Sequence, residues 1–395
     1  MEPISTINSC YKEQCSFPSY TQEKDIFGEV TEDPNYLNHQ LITYIGNKRS
    51  LLPEIENVVI KVKSRLKKDK IRIMDAFSGS GSVSRLFKKH SSYLITIDLE
   101  DYAAVVARCY LCNKSSINQN TLCSLINELN QKVDSVDYPI GFIEELYSPK
   151  DENNITPEDR VFYTKRNARR IDNYRRLINT LPLEYQDLVL GPLLSESSIH
   201  ANTSGVFKGF YKNKYTKIGQ FGGTNGDALS RILGEIKLTP PILSNFECEV
   251  KVLQGDANEL APQEKNLDLV YLDPPYNQHP YGSNYFMLNL IVNYKRPQAI
   301  SKVSGIPDNW RKSKYNNRSE AKTCFQKLVE NLDSKFILIS FNNEGFIKQE
   351  EMLSMLEKLG HVEVFEKKYN TFRGCRNLHK RNIHVTEQLF LLARQ

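Results

Sequence analysis

The chain has 395 residues, of which 40% are hydrophobic and 25% charged, and its 52 Lys and Arg against 47 Asp and Glu give a net charge of +5. This composition excludes a disordered tail protein, a collagen-like fibre and a small disulfide-stabilised scaffold. The mild positive charge permits a polyanionic partner without requiring one. No apolar run approaches the roughly 20 residues of a membrane-spanning helix, and the polar start lacks a signal sequence, so we expect a cytoplasmic protein.

Residues 1–40 are polar and aperiodic, which predicts an irregular arm. Apolar spacing then predicts a helix, a strand, a helix, a strand and a helix over 51–70, 71–77, 83–89, 93–97 and 102–113. This alternation is typical of a parallel α/β sheet. It is interrupted over 114–245, where helical patterns such as 166–181 prevail. Further strands are predicted at 249–253, 267–272, 336–340 and 389–392.

A glycine-rich turn, Asp75-Ala76-Phe77-Ser78-Gly79-Ser80-Gly81, follows the first predicted strand, and Asp98 ends the next one. Glycines let the backbone turn tightly and approach a ligand at a helix N-terminus, and a carboxylate at the second position can accept hydrogen bonds from a ribose diol. The pair fits any nucleoside cofactor, and similar sequences also occur as ordinary strand–helix turns.

A second motif, Asp273-Pro274-Pro275-Tyr276, directly follows the apolar strand predicted over 267–272. Open α/β sheets bind their ligands at the carboxyl ends of strands. Two prolines stiffen the loop and remove two amide donors, so that it offers carbonyls and a carboxylate. Such a loop suits an amino group that must donate its protons, and the tyrosine ring suits stacking on a planar base.

With these two motifs the chain resembles the D12-type adenine-specific DNA methyltransferases, whose catalytic motif is Asp-Pro-Pro-Tyr. Tyr44-Ile45-Gly46-Asn47-Lys48 matches the family's aromatic-x-Gly-x-Lys motif, and the stretches 340–345 and 372–383 resemble later family motifs. The resemblance extends over about residues 41–392. It implies a Rossmann-like, S-adenosylmethionine-dependent methyltransferase sheet with a mainly helical insertion and DNA-recognition elements.

The resemblance also implies roles for particular residues, without a metal. The cofactor contacts would be Tyr44, Lys48, Phe77, Gly79, Asp98, Asp256 and Asp273, and the catalytic motif would be Asp273, Pro274, Pro275 and Tyr276. We divide the chain into an arm over 1–40, a cofactor-binding half over 41–115, an insertion that could contact DNA over 116–245, and a catalytic half with a basic C-terminal region over 246–395.

Basic residues interleaved with aromatics mark three candidate DNA-contacting stretches, at 205–217, 310–315 and 367–381. The residues predicted to contact DNA are Lys208, Lys212, Lys214, Arg311, Lys312, Arg373 and Arg376. Each stretch on its own could equally be a solvated surface.

The function implied is methyl transfer from S-adenosylmethionine to adenine N6 in double-stranded DNA by base flipping, classified as EC 2.1.1.72. The enzyme would be the modification half of a restriction–modification pair, with a cognate endonuclease as a possible partner. Three alternatives remain. A cytosine-N4 methyltransferase shares the chemistry but often carries Ser where this chain has Asp273. An NAD-dependent oxidoreductase would explain only the glycine-rich turn and Asp98. A non-enzymatic DNA-binding relative would have lost some of the motifs.

Overall fold

The computed structural model describes residues 30–223, 225–342, 345–370 and 384–394. In these ranges seven strands form one sheet in the order β3-β2-β1-β4-β5-β7-β6. The first five of that order are parallel, and β7 runs antiparallel to both of its neighbours. The strands are β1 (Ile71–Asp75), β2 (Ser91–Asp98), β3 (Glu249–Gln254), β4 (Leu267–Leu272), β5 (Ser334–Asn342), β6 (Gly360–Asn370) and β7 (His384–Arg394).

Fourteen α-helices are found in the described ranges. They are α1 (Pro34–Asn38), α2 (Leu52–Leu66), α3 (Ser82–Lys88), α4 (Asp101–Tyr110), α5 (Gln119–Lys132), α6 (Phe142–Tyr147), α7 (Lys165–Ile178), α8 (Leu183–Ile199), α9 (Leu229–Leu233), α10 (Ala257–Leu260), α11 (Tyr281–Asn284), α12 (Phe286–Asn293), α13 (Arg318–Asn331) and α14 (Gln349–Leu356). None of these helices is both long and apolar enough to cross a membrane.

The strand order places a ligand site between β1 and β4. From β1 the chain builds outward through β2 and β3, and it then returns to the other side of β1 for β4 and β5. The order therefore reverses between β1 and β4, and loops that leave such neighbours in opposite directions open a crevice at their carboxyl ends. Asp75, the last residue of β1, lies opposite Tyr271 of β4. The glycine-rich turn and the Asp-Pro-Pro-Tyr loop both begin at this crevice.

Apolar layers cover both faces of the sheet. All six residues of β4 are buried, as expected for a central parallel strand. The helices between 119 and 199 do not form a separate core: they share one apolar cluster with α4 and α12. Since α12 follows the Asp-Pro-Pro-Tyr loop, the insertion packs directly against the element that supports the loop.

The predicted parallel α/β sheet is confirmed, and the strand predicted over 267–272 coincides with β4. The strand β6 was not predicted. Its apolar residues alternate with charges in Val362-Glu363-Val364, and the sequence interpretation placed the following lysines in a basic C-terminal region. Arg373 and Arg376, predicted to contact DNA, lie outside the described residues. The division into four segments stays a prediction.

Candidate functional site

A cleft with about 910 Å³ of empty space opens at the carboxyl ends of β1, β2, β3 and β4. This volume includes space that is open to solvent. The structure brings every residue predicted to contact the cofactor to the lining of this one cleft, although they are far apart in the chain. These residues are Tyr44, Lys48, Phe77, Gly79, Asp98, Asp256 and Asp273.

The floor of the cleft is the glycine-rich turn. Gly79 and Gly81 have φ of +50° and +75°, in the left-handed region that favours glycine. The N–H of Gly79 donates to Asp98 Oδ2 at 2.7 Å, and the N–H of Glu100 donates to Asp98 Oδ1 at 2.9 Å. A Cβ at Gly79 would lie 3.0 Å from the Tyr44 ring, so only glycine keeps this close approach. Burial nevertheless raises the pKa of Asp98.

Asp75 lies beneath the turn and is 1% exposed. Its carboxylate accepts hydrogen bonds from the Ser84 hydroxyl and, at 3.4 Å, from the N–H of Phe77. Burial outweighs these bonds and raises the pKa of Asp75 to about 7. Asp75 thus fixes the end of β1 to the start of α3, which is the turn that lines the cleft.

One wall of the cleft is a stack of tyrosines. The Tyr44 ring is stacked against the rings of Tyr281 and Tyr285, each with its centroid 4.9 Å away, and these two rings are stacked on each other with centroids 6.0 Å apart. The Ile45 N–H donates to the Tyr285 hydroxyl at 2.8 Å, and the Tyr281 hydroxyl donates to the Ile45 carbonyl at 3.0 Å. The N-terminal motif is thereby fastened to the residues that follow the Asp-Pro-Pro-Tyr loop.

The Lys48 side chain connects that motif to Asp273. It is 5% exposed, and its Nζ lies 3.1 Å from Asp273 Oδ1 and 2.8 Å from Glu387 Oε1. Lys48 was predicted to contact a cofactor, but its ammonium group lies between two carboxylates. Burial raises the pKa of Asp273 to about 6; the charge of Lys48 opposes this rise and that of Glu387 adds to it.

The Asp-Pro-Pro-Tyr loop is held on both sides. Pro274 is buried and Pro275 lines the cleft. The Tyr276 carbonyl accepts a hydrogen bond from the Phe346 N–H at 3.1 Å, and its ring contacts the Phe341 ring edge-on with centroids 6.0 Å apart. The half-buried Tyr276 ring and the Asp273 carboxylate thus belong to one loop with little freedom, and the Lys48 ammonium group lies 5.5 Å from the centre of that ring.

Sequence reasoning missed Glu100 and Glu387. Glu100 lines the cleft, is 3% exposed and accepts a hydrogen bond from Asn289 Nδ2 at 2.6 Å. Burial raises the pKa of Glu100 to about 7. Its position two residues after Asp98 was the signal that could have identified it. Glu387 had no such signal, since it lies on β7, far along the chain from Lys48.

The residues predicted to contact DNA divide into two groups. Lys208, Lys212 and Lys214 are exposed, and the last two lie over the rings of Phe210 and Tyr215. Lys312 is exposed beside Trp310. Arg311 instead forms a two-pronged ion pair with Asp101, at 2.7 and 3.0 Å, and lines the cleft. A DNA contact at Arg311 would have to compete with this pair.

The strand order, the acidic cleft at the reversal point and the carboxylate at the end of β4 define a Rossmann-like methyltransferase fold. Residues 44–355 match the model of the D12 class N6 adenine-specific DNA methyltransferase family. The chain belongs to this family.

Individual relatives are similar along most of this chain. Type II methyltransferase M.NlaIII of Neisseria lactamica is 28% identical, over 88% of this chain and 100% of its own length. Type II methyltransferase M.CviAII of Paramecium bursaria Chlorella virus 1 is 28% identical, over 84% of this chain and 93% of its own. Type II methyltransferase M.FokI of Planomicrobium okeanokoites is 29% identical over 89% of this chain, which spans only 52% of that longer protein.

Proposed function

We propose that the chain transfers a methyl group from S-adenosylmethionine to the N6 atom of adenine at a specific site in double-stranded DNA, the activity classified as EC 2.1.1.72. The observation that carries this proposal is the carboxylate of Asp273, which follows β4 and lines the cleft, with the Lys48 ammonium group 3.1 Å from it and 5.5 Å from the centre of the Tyr276 ring. Membership of an adenine-specific family supports adenine over cytosine as the base. The similarity to type II methyltransferases supports a role in restriction–modification.

The cleft fits S-adenosylmethionine by the chemistry of its lining. When bound, this cofactor supplies an electrophilic methyl group on a positively charged sulfonium. Asp98 and Glu100 offer carboxylate oxygens to the ribose hydroxyls and to positive charge. Asp256 uses one oxygen to cap α10, through the Asn258 N–H at 2.8 Å, and can accept from the cofactor's adenine amino group with the other. Tyr44 and Phe77 provide flat apolar walls.

The catalytic loop acts on the amino group of the target base. The lone pair of that nitrogen is delocalised into the ring, so the nitrogen is a weak nucleophile. Asp273 accepts a hydrogen bond from one N6 proton and the Pro274 carbonyl accepts one from the other, which favours a localised lone pair directed at the methyl carbon. Groups held in position before the reaction need no reorganisation when charge develops. The proton leaving N6 passes to Asp273 or to water.

The target adenine must leave the duplex to reach this loop, at a cost of a few kcal/mol. Stacking on the Tyr276 ring would return about 1–3 kcal/mol. The half-buried ring, held by Phe341 and the loop backbone, offers one face to the base without further ordering. Tyr276 is therefore proposed to bind the base rather than to transfer a proton.

The basic segment 205–217 is proposed to contact the DNA backbone. Its Phe207 N–H donates to the Asn284 carbonyl at 2.7 Å, which places the segment beside α11 and the catalytic loop. Within the described ranges, no ion pair to an acid is found for Lys208, Lys212 or Lys214. Unpaired lysines near the site can neutralise phosphates. DNA contacts by Lys312, Arg373 and Arg376 stay predictions. A cognate endonuclease and a cytoplasmic location are proposed together with the restriction–modification role.

The proposal is tested by incubating the purified protein with labelled S-adenosylmethionine and unmethylated genomic DNA, and then identifying the labelled nucleoside. We expect N6-methyladenine, confined to one sequence context when the DNA is sequenced for modified bases. Label in N4-methylcytosine would keep the loop chemistry and refute the base assignment. If the protein binds the cofactor but leaves the DNA unlabelled, the proposed methyltransferase function is refuted.

A further inference from the structure

Glu387 is a buried acid with no role in the proposed reaction so far. It lies on β7, which pairs with β5, and is 1% exposed. Its Oε1 accepts a hydrogen bond from the Ser340 hydroxyl at 3.2 Å and lies 2.8 Å from Lys48 Nζ. A buried carboxylate is costly unless it is paired, so the position is a specific one.

The Lys48 ammonium group has three N–H bonds and three oxygen neighbours, and it also lies 5.5 Å from the centre of the Tyr276 ring. It lies 2.8 Å from Glu387 Oε1, 3.1 Å from Asp273 Oδ1 and 3.3 Å from the Gly46 carbonyl. The shortest contact is therefore the one to Glu387. Among the described residues no well-directed hydrogen bond reaches Asp273 Oδ1, although this atom is fully buried. Lys48 thus forms ion pairs with both carboxylates and lies closer to Glu387 than to Asp273.

We propose that Glu387 is a positioning residue for methyl transfer: it holds Lys48 back from Asp273, so that the Asp273 carboxylate stays a strong acceptor for the substrate amino group. This inference rests on the role proposed above for Asp273. The ligand class is the exocyclic amino group of the target base, and Glu387 acts on it only through Lys48 and Asp273.

The charges around Asp273 explain how Glu387 affects the ability of Asp273 to accept a hydrogen bond. Lys48 alone would neutralise Asp273 in a buried pair, and a carboxylate in such a pair is a weaker acceptor for a second donor. With Glu387 present, one positive charge is shared by two negative ones. The other groups that face Asp273 are Asp75 on β1, Tyr271 on β4 and the Tyr281 hydroxyl. Among the described residues, the one positive charge found in this cluster is that of Lys48.

The substitution Glu387→Gln tests the inference, because it keeps the shape and an acceptor for Ser340 but removes the charge. Lys48 should move towards Asp273, and the repulsion from Glu387 disappears, so both changes lower the pKa of Asp273. In single-turnover assays at saturating DNA and cofactor between pH 5 and 8, we expect the acid limb of the rate profile to move down by about one pH unit. The plateau rate should fall about tenfold.

The substitution Lys48→Met should shift the acid limb of the pH–rate profile in the opposite direction. It leaves Asp273 facing Glu387 without a cation, so the acid limb should move to higher pH. In the Lys48→Met background, Glu387→Gln should lower the plateau rate less than about twofold, because Glu387 acts through Lys48. A Glu387→Gln variant whose limb and plateau match those of the wild type would overturn the inference, as would equal effects of Glu387→Gln in both backgrounds.

Two controls separate other outcomes. Asp268→Asn also removes a buried, lysine-paired carboxylate from the sheet, but far from the cleft, and it should leave the limb in place. If Glu387→Gln folds poorly, Glu387→Asp retains the charge and should keep the wild-type limb. Normal turnover by Asp273→Asn would refute the proposed function itself, whereas a normal Glu387→Gln beside an inactive Asp273→Asn would refute only the inference.

Discussion

Asp268 and Asp273 lie near the two ends of β4, five residues apart along the chain, or about 16 Å in an extended strand. The Asp268 side chain is 2% exposed and that of Asp273 is 17% exposed. Two lysines lie within 3.0 Å of Asp268, namely Lys68 at 2.8 Å and Lys335 at 3.0 Å, and the Arg72 N–H adds a bond at 3.1 Å. Asp273 shares its one lysine with Glu387.

The pKa values of the two acids are shifted in opposite directions. Burial opposes ionisation at Asp268, but Lys68, Arg72 and Lys335 outweigh it and lower the pKa. At Asp273 burial prevails and the pKa rises to about 6. The two acids differ in their donors, because Asp268 has three and Asp273 shares one lysine with Glu387, and also in how strongly burial opposes ionisation. A saturated carboxylate stabilises the fold, whereas an incompletely satisfied one remains able to accept a hydrogen bond from a ligand.

The largest effect is expected from Asp273→Asn. Asparagine keeps the shape but presents a neutral, weaker acceptor, so the single-turnover rate should fall about 10²- to 10³-fold, as when one preorganised polar group is removed from an active site. Cofactor affinity, measured by calorimetry, should change much less. A rate within threefold of the wild type would contradict the distinction drawn between the two aspartates.

The same comparison extends to lysines. Lys68 and Lys335 are paired with Asp268, whereas Lys212 and Lys214 lie over aromatic rings. Replacing Lys212 and Lys214 by Ala should reduce the slope of log affinity for DNA against log salt by about 1.8, which is 0.9 for each lost phosphate contact. Replacing Lys68 and Lys335 by Ala is the matched control, and its slope should equal that of the wild type. Equal slopes in both variants would remove segment 205–217 from the DNA interface.

Asp268→Asn should affect stability and spare activity. Hydrogen bonds to charged groups are lost, and since both lysines are substantially exposed and can return to water, we expect a loss of about 2 kcal/mol in the free energy of unfolding. Urea unfolding measures this loss. A methylation rate reduced by more than threefold at a temperature where the variant is folded would show that the amino end of β4 also serves the reaction.

The last effect concerns the pH dependence of stability. The folded-state pKa of Asp75 is raised to about 7, so the folded protein binds a proton that the unfolded chain releases above about pH 4. Stability should therefore fall as pH rises from about 4 to 7, by at most about 1.4 kcal/mol per pH unit for this group. Asp268 has the opposite sign: its contribution is present above about pH 4 and is lost as pH falls further.

Urea midpoints between pH 3 and 8 separate the two contributions. The substitution Asp75→Asn should make the curve less steep above pH 4, where Asp273 and Glu100 contribute with the same sign, and Asp268→Asn should make it less steep below pH 4. If both substitutions changed the same part of the curve of urea midpoint against pH, the pKa shifts assigned to Asp75 and Asp268 would be contradicted.

The sequence was informative where function depends on a short stretch at the end of a strand. The glycine-rich turn, Asp98 and the Asp-Pro-Pro-Tyr loop could be located because an apolar run precedes each of them. Contacts between distant segments could not be predicted. Glu387 meets Lys48 only after β7 has paired with β5, and Arg311, predicted to contact DNA, meets Asp101 through the fold. The strand β6 was not predicted although Val362-Glu363-Val364 alternates as in a strand with one exposed face, because the lysines that follow were assigned to a basic region.

The most direct test measures methyl transfer to unmethylated DNA by the wild type, Asp268→Asn and Asp273→Asn in parallel, with the product identified by nucleoside mass spectrometry. The expected result is N6-methyladenine at similar rates from the wild type and Asp268→Asn, and at least 100-fold less from Asp273→Asn, as for the loss of one preorganised polar group. Comparable N6-methyladenine from both variants, or a wild type that modifies no adenine, would contradict the account.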